Sequence, residues 1–199
     1  MTILLVGATG ALGTAVGKAL PDRGHYVVTV GRTAGDVQAD VADPEQTARV
    51  FAQVGDLDAV ASAAGDVPYK RVVDMAAEDY LNAYRGKVAA QIELVRQGIR
   101  HVAERGSFTL ITGVLAQEPI VTGSAAAMVN GAVESFVRAA AIEIAPQRIN
   151  AVSPTVFAES METYGDFFPG ITPVGIDVVA ATYVRLIEGA ETGQVFRVQ

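Results

Sequence analysis

The first twenty residues contain a strand, a glycine-rich turn and the start of a helix, in that order. Residues 3–6 are apolar, Gly7, Gly10 and Gly13 follow at intervals of three, and a helix-like stretch continues to Leu20. Glycines let a phosphate approach the backbone, and the free N–H groups and positive dipole end of a helix attract it. Because a strand and a helix flank the glycines, this order predicts a dinucleotide site. A plain tight turn is the alternative interpretation.

The composition of the chain argues against several classes of function. The chain has 199 residues, so residues 1–199 are expected to form a single domain, and half are hydrophobic. A net charge of -7, with no basic run, argues against a nucleic-acid partner. The chain has no cysteine, and no His/Asp/Glu cluster has metal-ligand spacing, so we expect no disulfide and no metal. We see no signal peptide and no apolar run approaching about 18 residues, which predicts a cytoplasmic protein without a membrane partner.

Strand-like runs alternate with helical patterns along the whole chain. The pattern predicts strands at 2–6, 26–30, 36–39, 57–61, 107–112, 148–152 and 195–198, and helices at 11–20, from 43 onward, and at 78–104, 124–144 and 177–188. Asp43, Pro44 and Gln46 are typical of a helix start, and segment 154–172 reads as a loop. This alternation predicts an α/β protein with a three-layer, doubly wound parallel sheet, the Rossmann fold.

Ligands of such a sheet bind at the carboxyl ends of the strands, so the loops there are the candidate cofactor site. From the first loop we expect contacts from Gly7, Thr9, Gly10, Ala11 and Leu12. At the end of strand two there is no acidic residue to bind the ribose 2′-hydroxyl of NAD.

Strand two instead ends in Gly31-Arg32-Thr33. Gly31 would leave space, and Arg32 has donors suited to a 2′-phosphate, so we favour NADP(H) over NAD. A solvated surface arginine is the alternative.

Two further loops belong to this candidate site. Asp40 and Val41 follow the short third strand, where the carboxylate could accept from the adenine amino group or only cap the local turn. Ala63, Ala64 and Gly65 follow the next strand, and their small side chains would let a nucleotide lie flat or let a helix pack closely.

Together these loops resemble the short-chain dehydrogenase/reductase family over essentially the whole chain. Segment 7–13 is similar to its dinucleotide loop, 40–41 to its adenine-contacting Asp-Val pair, and 63–65 to the end of its Asn-Asn-Ala-Gly motif. Segment 149–154 resembles its strand and turn beside the nicotinamide, and 192–198 its last strand. The resemblance implies NADP(H) binding and adds Pro154, Thr155 and Val156 to the expected cofactor contacts.

The catalytic positions of the family are changed. It uses a serine, a Tyr-x-x-x-Lys motif and a helical asparagine, which fall here on Gly113, on Ala126 and Asn130, and near Lys87. Alanine cannot transfer a proton, and no shift restores the motif because no tyrosine lies between Tyr84 and Tyr164. The resemblance therefore implies the fold and the cofactor, without the family's proton relay.

The candidates for the chemistry are Lys87, Asn130 and Tyr164. Lys87 could be partly buried and act as an acid, or be an exposed helix lysine. Tyr84, one turn earlier, is expected on the same side as Lys87. Asn130 could bind the nicotinamide ribose or only solvate a helix, and Tyr164 could offer a phenol from a covering loop or form a pocket wall.

The sequence thus predicts an NADP(H)-dependent oxidoreductase for a small carbonyl, enone or imine, with a non-standard proton donor. The alternatives are an inactive NADP-binding or sensing protein, and a non-redox isomerase or cyclase using Lys87 or Tyr164. Helices 78–104 and 124–144 resemble the pair through which the family dimerises, so we expect a homodimer or homotetramer.

Overall fold

Seven parallel strands form one sheet in the computed structural model, which describes residues 1–199. Their order is β3-β2-β1-β4-β5-β6-β7. The strands are β1 (Thr2–Val6), β2 (Tyr26–Gly31), β3 (Val37–Gln38), β4 (Leu57–Ser62), β5 (Val102–Ile111), β6 (Arg148–Pro154) and β7 (Val195–Val198). The order changes direction between β1 and β4, which opens a crevice at their carboxyl ends. The predicted doubly wound fold and its single domain are confirmed.

Helices cover both faces of this sheet. One face carries α1 (Ala11–Ala19) and α7 (Ile176–Glu188), and the other carries α2 (Pro44–Val54), α4 (Ala90–Gly98) and α5 (Ser124–Glu143). Successive residues of β1 alternate between the two cores, because side chains along a strand point to opposite faces. Ile3 and Leu5 belong to one core, and Leu4 and Val6 to the other. Burial on both sides explains why β1 is apolar from Ile3 to Val6.

Helix α2 begins as its sequence predicts. The Asp43 carboxylate accepts from the backbone N–H of Glu45 at 2.9 Å and of Gln46 at 3.3 Å, and the Gln46 side chain returns a bond of 2.9 Å. These contacts satisfy N–H groups that the first helical turn leaves free.

The predicted helix 78–104 is wrong at its end and in its interior. It is divided into α3 (Ala77–Ala83), a π-helical turn (Tyr84–Ala89) and α4, which ends at Gly98. Strand β5 begins at Val102, five residues earlier than predicted, and its pairing with β4 is irregular between Leu57 and Ala59. Residues 103–105 are polar or small and exposed. An exposed start to a strand lacks the apolar pattern that would have identified it.

The segment predicted as a loop is partly helical. Strand β6 continues to Pro154, and short 3₁₀ turns then surround α6 (Met161–Tyr164) before α7. We call residues 158–168 the covering segment. Its last residue, Phe168, is buried in a small cluster with Leu115 and Val156. The covering segment is therefore anchored over the carboxyl ends of β5 and β6.

Helix α5 is long and apolar enough to cross a membrane by length and composition alone. Glu134 and Arg138 interrupt its apolar sequence, so the expectation that no uninterrupted apolar run approaches the length of a membrane span is not contradicted. Val129, Val133 and Val137 on α5 are fully buried in the core against the sheet. Packing in the core accounts for the apolar character of the helix.

Candidate functional site

A cavity of about 500 Å³ lies at the carboxyl ends of the central strands. It brings together many of the residues expected at the cofactor: Gly10, Ala11, Leu12, Ala63, Ala64, Gly65, Pro154, Thr155 and Val156. The catalytic candidates Lys87, Asn130 and Tyr164 line the same cavity, as do Gly113 and Ala126. The remaining cofactor candidates, Gly7, Thr9, Gly31, Arg32, Thr33, Asp40 and Val41, do not line it. The cavity therefore corresponds to the reaction end of the candidate site.

The glycine loop has the geometry that phosphate binding requires. Gly7 has φ +80°, and a Cβ there would lie 2.7 Å from the backbone nitrogen of Ala64. A Cβ at Gly13 would overlap the carbonyl oxygen of Gly7, whereas one at Gly10 would meet only that oxygen, at 3.6 Å. Helix α1 has no side-chain cap and no acidic residue in its first turn. The loop thus offers room and free N–H donors, which fit a pyrophosphate.

The end of β2 differs in one respect from the sequence interpretation. A Cβ at Gly31 would overlap the carbonyl oxygen of Ala34, so this glycine serves the turn between β2 and β3. The absent side chain is required by the protein's own backbone, which corrects the expectation that it leaves space for the nucleotide.

Arg32 is exposed and has no ion-pair partner. Asp36 lies on the same turn, but its carboxylate accepts from the Thr29 backbone N–H at 2.8 Å and hydroxyl at 2.7 Å. These bonds hold the pKa of Asp36 below its ordinary value. With Asp36 bound to Thr29, the Arg32 guanidinium remains free for an external anion.

Asp40 makes the local contact considered as its alternative role. Its Oδ1 accepts from the backbone N–H of Ala42 at 3.0 Å, while Val41 beside it is buried. The second carboxylate oxygen of Asp40 has no hydrogen bond within the protein. A contact with an adenine amino group therefore remains a prediction.

Lys87 is buried in the cavity wall, which excludes the exposed-lysine alternative. Only 8% of the residue is exposed, and its Nζ donates to the carbonyl oxygen of Thr112 at 3.2 Å. Its side-chain carbons pass close to Gly65, where a Cβ would lie 3.1 Å from the lysine Cδ. Burial disfavours the ammonium and lowers the pKa of Lys87 from 10.5 to about 8. An amine with this pKa can donate or accept a proton near neutral pH.

Tyr84 does not share the environment of Lys87, contrary to the prediction from helical spacing. Tyr84 is 47% exposed and does not line the cavity. Both residues lie in the π-helical turn, where each turn contains more residues than in an α-helix. Residues three apart are therefore rotated away from one another.

Asn130 occupies the space beside Gly113. Its Nδ2 donates to the carbonyl oxygen of Gly113 at 3.2 Å, and its buried Oδ1 has no partner. A Cβ at Gly113 would lie 3.0 Å from that Nδ2. Lys87 and Asn130 therefore hold two consecutive carbonyl groups after β5. The unpartnered Oδ1, with the equally unpartnered Thr155 hydroxyl, gives the cavity two buried polar atoms that a ligand can satisfy.

Sequence reasoning missed two residues near these groups. Tyr69 lines the cavity, as Tyr164 does, and its pKa is raised by burial and then by the nearby Tyr164 and Asp66. It lies in an irregular segment after β4, where no periodic pattern marks it. Glu134 is buried one helical turn after Asn130, and that spacing was a usable signal.

Glu134 accepts hydrogen bonds from side chains of the segment that follows β5. One carboxylate oxygen accepts from the Gln117 side chain at 2.7 Å, and the other lies 3.5 Å from the Thr112 hydroxyl. Since the carbonyl of Thr112 holds Lys87, Glu134 supports the segment that positions the amine.

Comparison with known proteins places this chain in a family. A family model described as enoyl-(acyl carrier protein) reductase matches residues 8–173. Versicolorin reductase 1 from Aspergillus parasiticus is 30% identical over 188 residues, which cover 79% of this chain and 70% of that protein. L-xylulose reductase from Homo sapiens is 25% identical over 177 residues, covering 80% of this chain and 72% of that protein.

Solved structures agree with these sequence matches. The protein lin1944 from Listeria innocua is 40% identical and superposes with a TM-score of 0.97 over the whole of both chains. A small-chain dehydrogenase in complex with NADPH, 24% identical, has the same fold, with a TM-score of 0.89 over 100% of this chain and 96% of that one. The protein therefore belongs to the short-chain dehydrogenase/reductase family of oxidoreductases.

Proposed function

We propose that the protein is an NADP(H)-dependent oxidoreductase that reduces a small carbonyl, enone or imine, with Lys87 as its proton donor. The observation that carries this proposal is the position of Lys87, the one charged side chain that lines the cavity. It shares the cavity with Pro154, in the segment expected beside the nicotinamide, and its side-chain carbons pass close to Gly65.

The residues of this chain would position the substrate and donate a proton to it. A bound NADPH would provide the hydride. The ammonium of Lys87, held by the Thr112 carbonyl, would donate a proton to the substrate oxygen or nitrogen as negative charge develops there. Burial favours the neutral amine that remains, so this lysine gives up its proton more readily than an exposed one. The apolar wall around it limits access of water.

Arg32 supports a preference for NADP(H) over NAD(H). Its guanidinium is exposed and unpaired at the end of β2, where a bidentate contact to a 2′-phosphate is available. The NADPH complex of the structural neighbour agrees with this assignment. We further assign Asp40 and Val41 to the adenine, and the Oδ1 of Asn130 to a hydroxyl of the nicotinamide ribose.

The test is direct titration followed by a turnover assay. Purified protein is titrated with NADPH and NADH, and the NADPH-loaded protein is then given a panel of ketones, enones and imines while cofactor absorbance is followed. We expect tighter binding of NADPH and its oxidation by at least one substrate class. Failure to bind NADPH would reject the proposal. A product of unchanged oxidation state would identify a non-redox isomerase or cyclase.

A second candidate function is binding of NADP(H) without turnover, as in a sensor of the cofactor. It is favoured by the bonds that Lys87 and Asn130 make to the Thr112 and Gly113 carbonyls, because such bonds also suit a purely structural role. Binding of NADPH without any turnover across the panel would support this candidate. Any useful rate would reject it.

We also propose that the protein is a homodimer or homotetramer that associates through the α4 and α5 region. Helix α5 exposes Met128 and Ile142, the latter by 83%. Light scattering should give a multiple of the 20.7 kDa chain mass, and a monomer would contradict the proposal.

A further inference from the structure

The mouth of the cavity is aromatic on two sides. Tyr69 approaches from the segment after β4, and Tyr164, Phe167 and Phe168 approach from the covering segment. Both tyrosines line the cavity and are about half exposed, so each lies at its edge. Aromatic rings in this arrangement favour a flat, apolar group between them.

Most of the charged side chains near this mouth are carboxylates. The covering segment contains Glu159, Glu162 and Asp166, and no lysine or arginine. Glu159 accepts from the backbone N–H of Ile176, but Glu162 and Asp166 are exposed and have no partner within the protein. On the opposite side, Asp66 lies close to Tyr69. In a protein of net charge -7, these carboxylates make the approach to the cavity negative.

Positive groups near the mouth offset only part of this charge. Lys70 and Arg71 follow Tyr69, but neither lines the cavity, and the Lys70 ammonium is ion-paired with Asp79 at 2.9 Å. Lys87 lies inside at the reaction end, with its amine bound to the Thr112 carbonyl. A carboxylate or phosphate on the distal part of a substrate would therefore meet aromatic rings and lie near the exposed carboxylates of the covering segment. Those carboxylates do not line the cavity themselves, and the one lining cation, Lys87, lies at the reaction end.

We infer that the substrate is an aromatic ketone or imine whose distal part is neutral or positively charged, held between Tyr69 and Tyr164. This inference rests on the proposed function and names its substrate class. It excludes carboxylates, phosphate esters and acyl groups delivered on an acidic carrier protein. A distal cation gains from the faces of the two phenols and from the carboxylates of the covering segment.

The test uses three aryl methyl ketones that differ only in a para substituent: methyl, trimethylammonium or carboxylate. Both kcat/KM with NADPH and equilibrium binding to the protein saturated with NADP⁺ are measured at low salt. We expect the methyl and trimethylammonium ketones to bind within a few-fold of each other and the carboxylate at least about ten-fold more weakly. The difference should narrow as salt is raised, because the carboxylates of the covering segment are exposed.

Variants assign the effect to the residues named. E162Q combined with D166N should bring the carboxylate ketone closer to the neutral one, whereas E104Q, on the exposed part of β5, should leave the ranking unchanged. Y69A and Y164A should each weaken all three ketones, and Y69F should retain most of the binding, because the ring remains. Folding of each variant is checked by circular dichroism.

Equal binding of the carboxylate and methyl ketones at low salt would overturn the inference, as would failure of all three to bind. The expected ranking in binding without any turnover would support the inference while rejecting the proposed redox function. NADPH titration in the same experiment reports separately on the cofactor.

Discussion

The two ends of the candidate site differ in how closely they keep to the pattern of the family. At the nucleotide end, Gly7, Gly10 and Gly13 provide the room and the free backbone donors that a pyrophosphate needs. At the reaction end, the sequence predicts that Gly113, Ala126 and Asn130 replace the serine, tyrosine and lysine of the family pattern. Backbone geometry preserves a binding site, whereas proton transfer depends on particular side chains. Membership of the family therefore predicts the fold of this protein better than it predicts the catalytic mechanism.

The largest expected effect is the loss of NADPH binding through a change confined to the glycine loop. In G13A, the new Cβ overlaps the Gly7 carbonyl oxygen, so the loop must move and NADPH binding should be lost. In the control G17A on the same helix, the nearest atom is a side-chain carbon of Leu5 at 3.4 Å, so binding should be retained. Calorimetric titration measures binding and thermal unfolding checks the fold. Wild-type affinity in G13A would contradict the assigned phosphate site.

The next effect tests the reaction end. K87M should lower the rate of ketone reduction by about 10²–10⁴-fold, the usual contribution of a general acid, with little change in NADPH affinity. In the wild type, the rate of reduction should fall as pH rises above about 8, because Lys87 then loses the proton it donates. Stopped-flow measurement of the hydride step across pH checks both expectations. An unchanged rate in K87M would assign Lys87 a structural role.

Lys87 should also leave a signature in the pH dependence of stability. Its pKa in the folded protein is about 8, below its ordinary value of 10.5, so between these pH values the unfolded chain binds the extra proton. The stability of the wild type relative to K87M should therefore rise as pH increases from about 8 to 10.5 and be constant below that window. Chemical unfolding of both proteins at several pH values measures this difference. A constant difference throughout would mean that the amine is not buried in solution.

A smaller effect tests cofactor preference at the nucleotide end. R32A should weaken NADPH binding by about ten-fold, as expected for loss of one charge-assisted contact, and leave NADH binding almost unchanged. R100A, which removes an exposed arginine beyond the end of α4, is the matched control and should alter neither. Equal loss of both cofactors in R32A would argue against a 2′-phosphate contact.

The smallest effect tests whether the reaction end has been repacked around Asn130. In G113S, the new Cβ lies 3.0 Å from the Asn130 Nδ2, so we expect a loss of about 1 kcal/mol in the free energy of unfolding. When G113S is combined with N130A, the serine should lower the free energy of unfolding by less, because the crowding amide is absent. A double-mutant cycle measures the coupling between the two sites. Strict additivity would mean that the two positions adjust independently.

Much of the fold could be predicted because it depends on local and periodic signals. The apolar run of β1, the Asp43-Pro44 start of α2 and the alternation of strands and helices all led to the observed sheet. The start of β5 was missed because residues 103–105 are exposed and its pairing with β4 is irregular. The π-helical turn was missed because an i, i+3 pattern assumes regular α-helical geometry.

The candidate site also has features that the sequence located and features that it did not. Its loops could be located from the sequence, since the carboxyl ends of parallel strands meet at one edge of the sheet. Tyr69 could not be found, because it reaches the cavity from a segment with no periodicity. The role of Gly31 was misread, because only the path of the turn shows that the Ala34 carbonyl occupies the space beside it.

The sequence by itself determined the glycine loop and the sheet, and it predicted that the family's proton relay is absent, because each depends on which residues stand at fixed chain positions. Only the tertiary structure decided that Lys87 is buried with an altered pKa, that Asn130 fills the space beside Gly113, and that two half-exposed tyrosines line the cavity. These properties arise from side chains distant in sequence that exclude water from one another, and burial of that kind has no signature in local sequence.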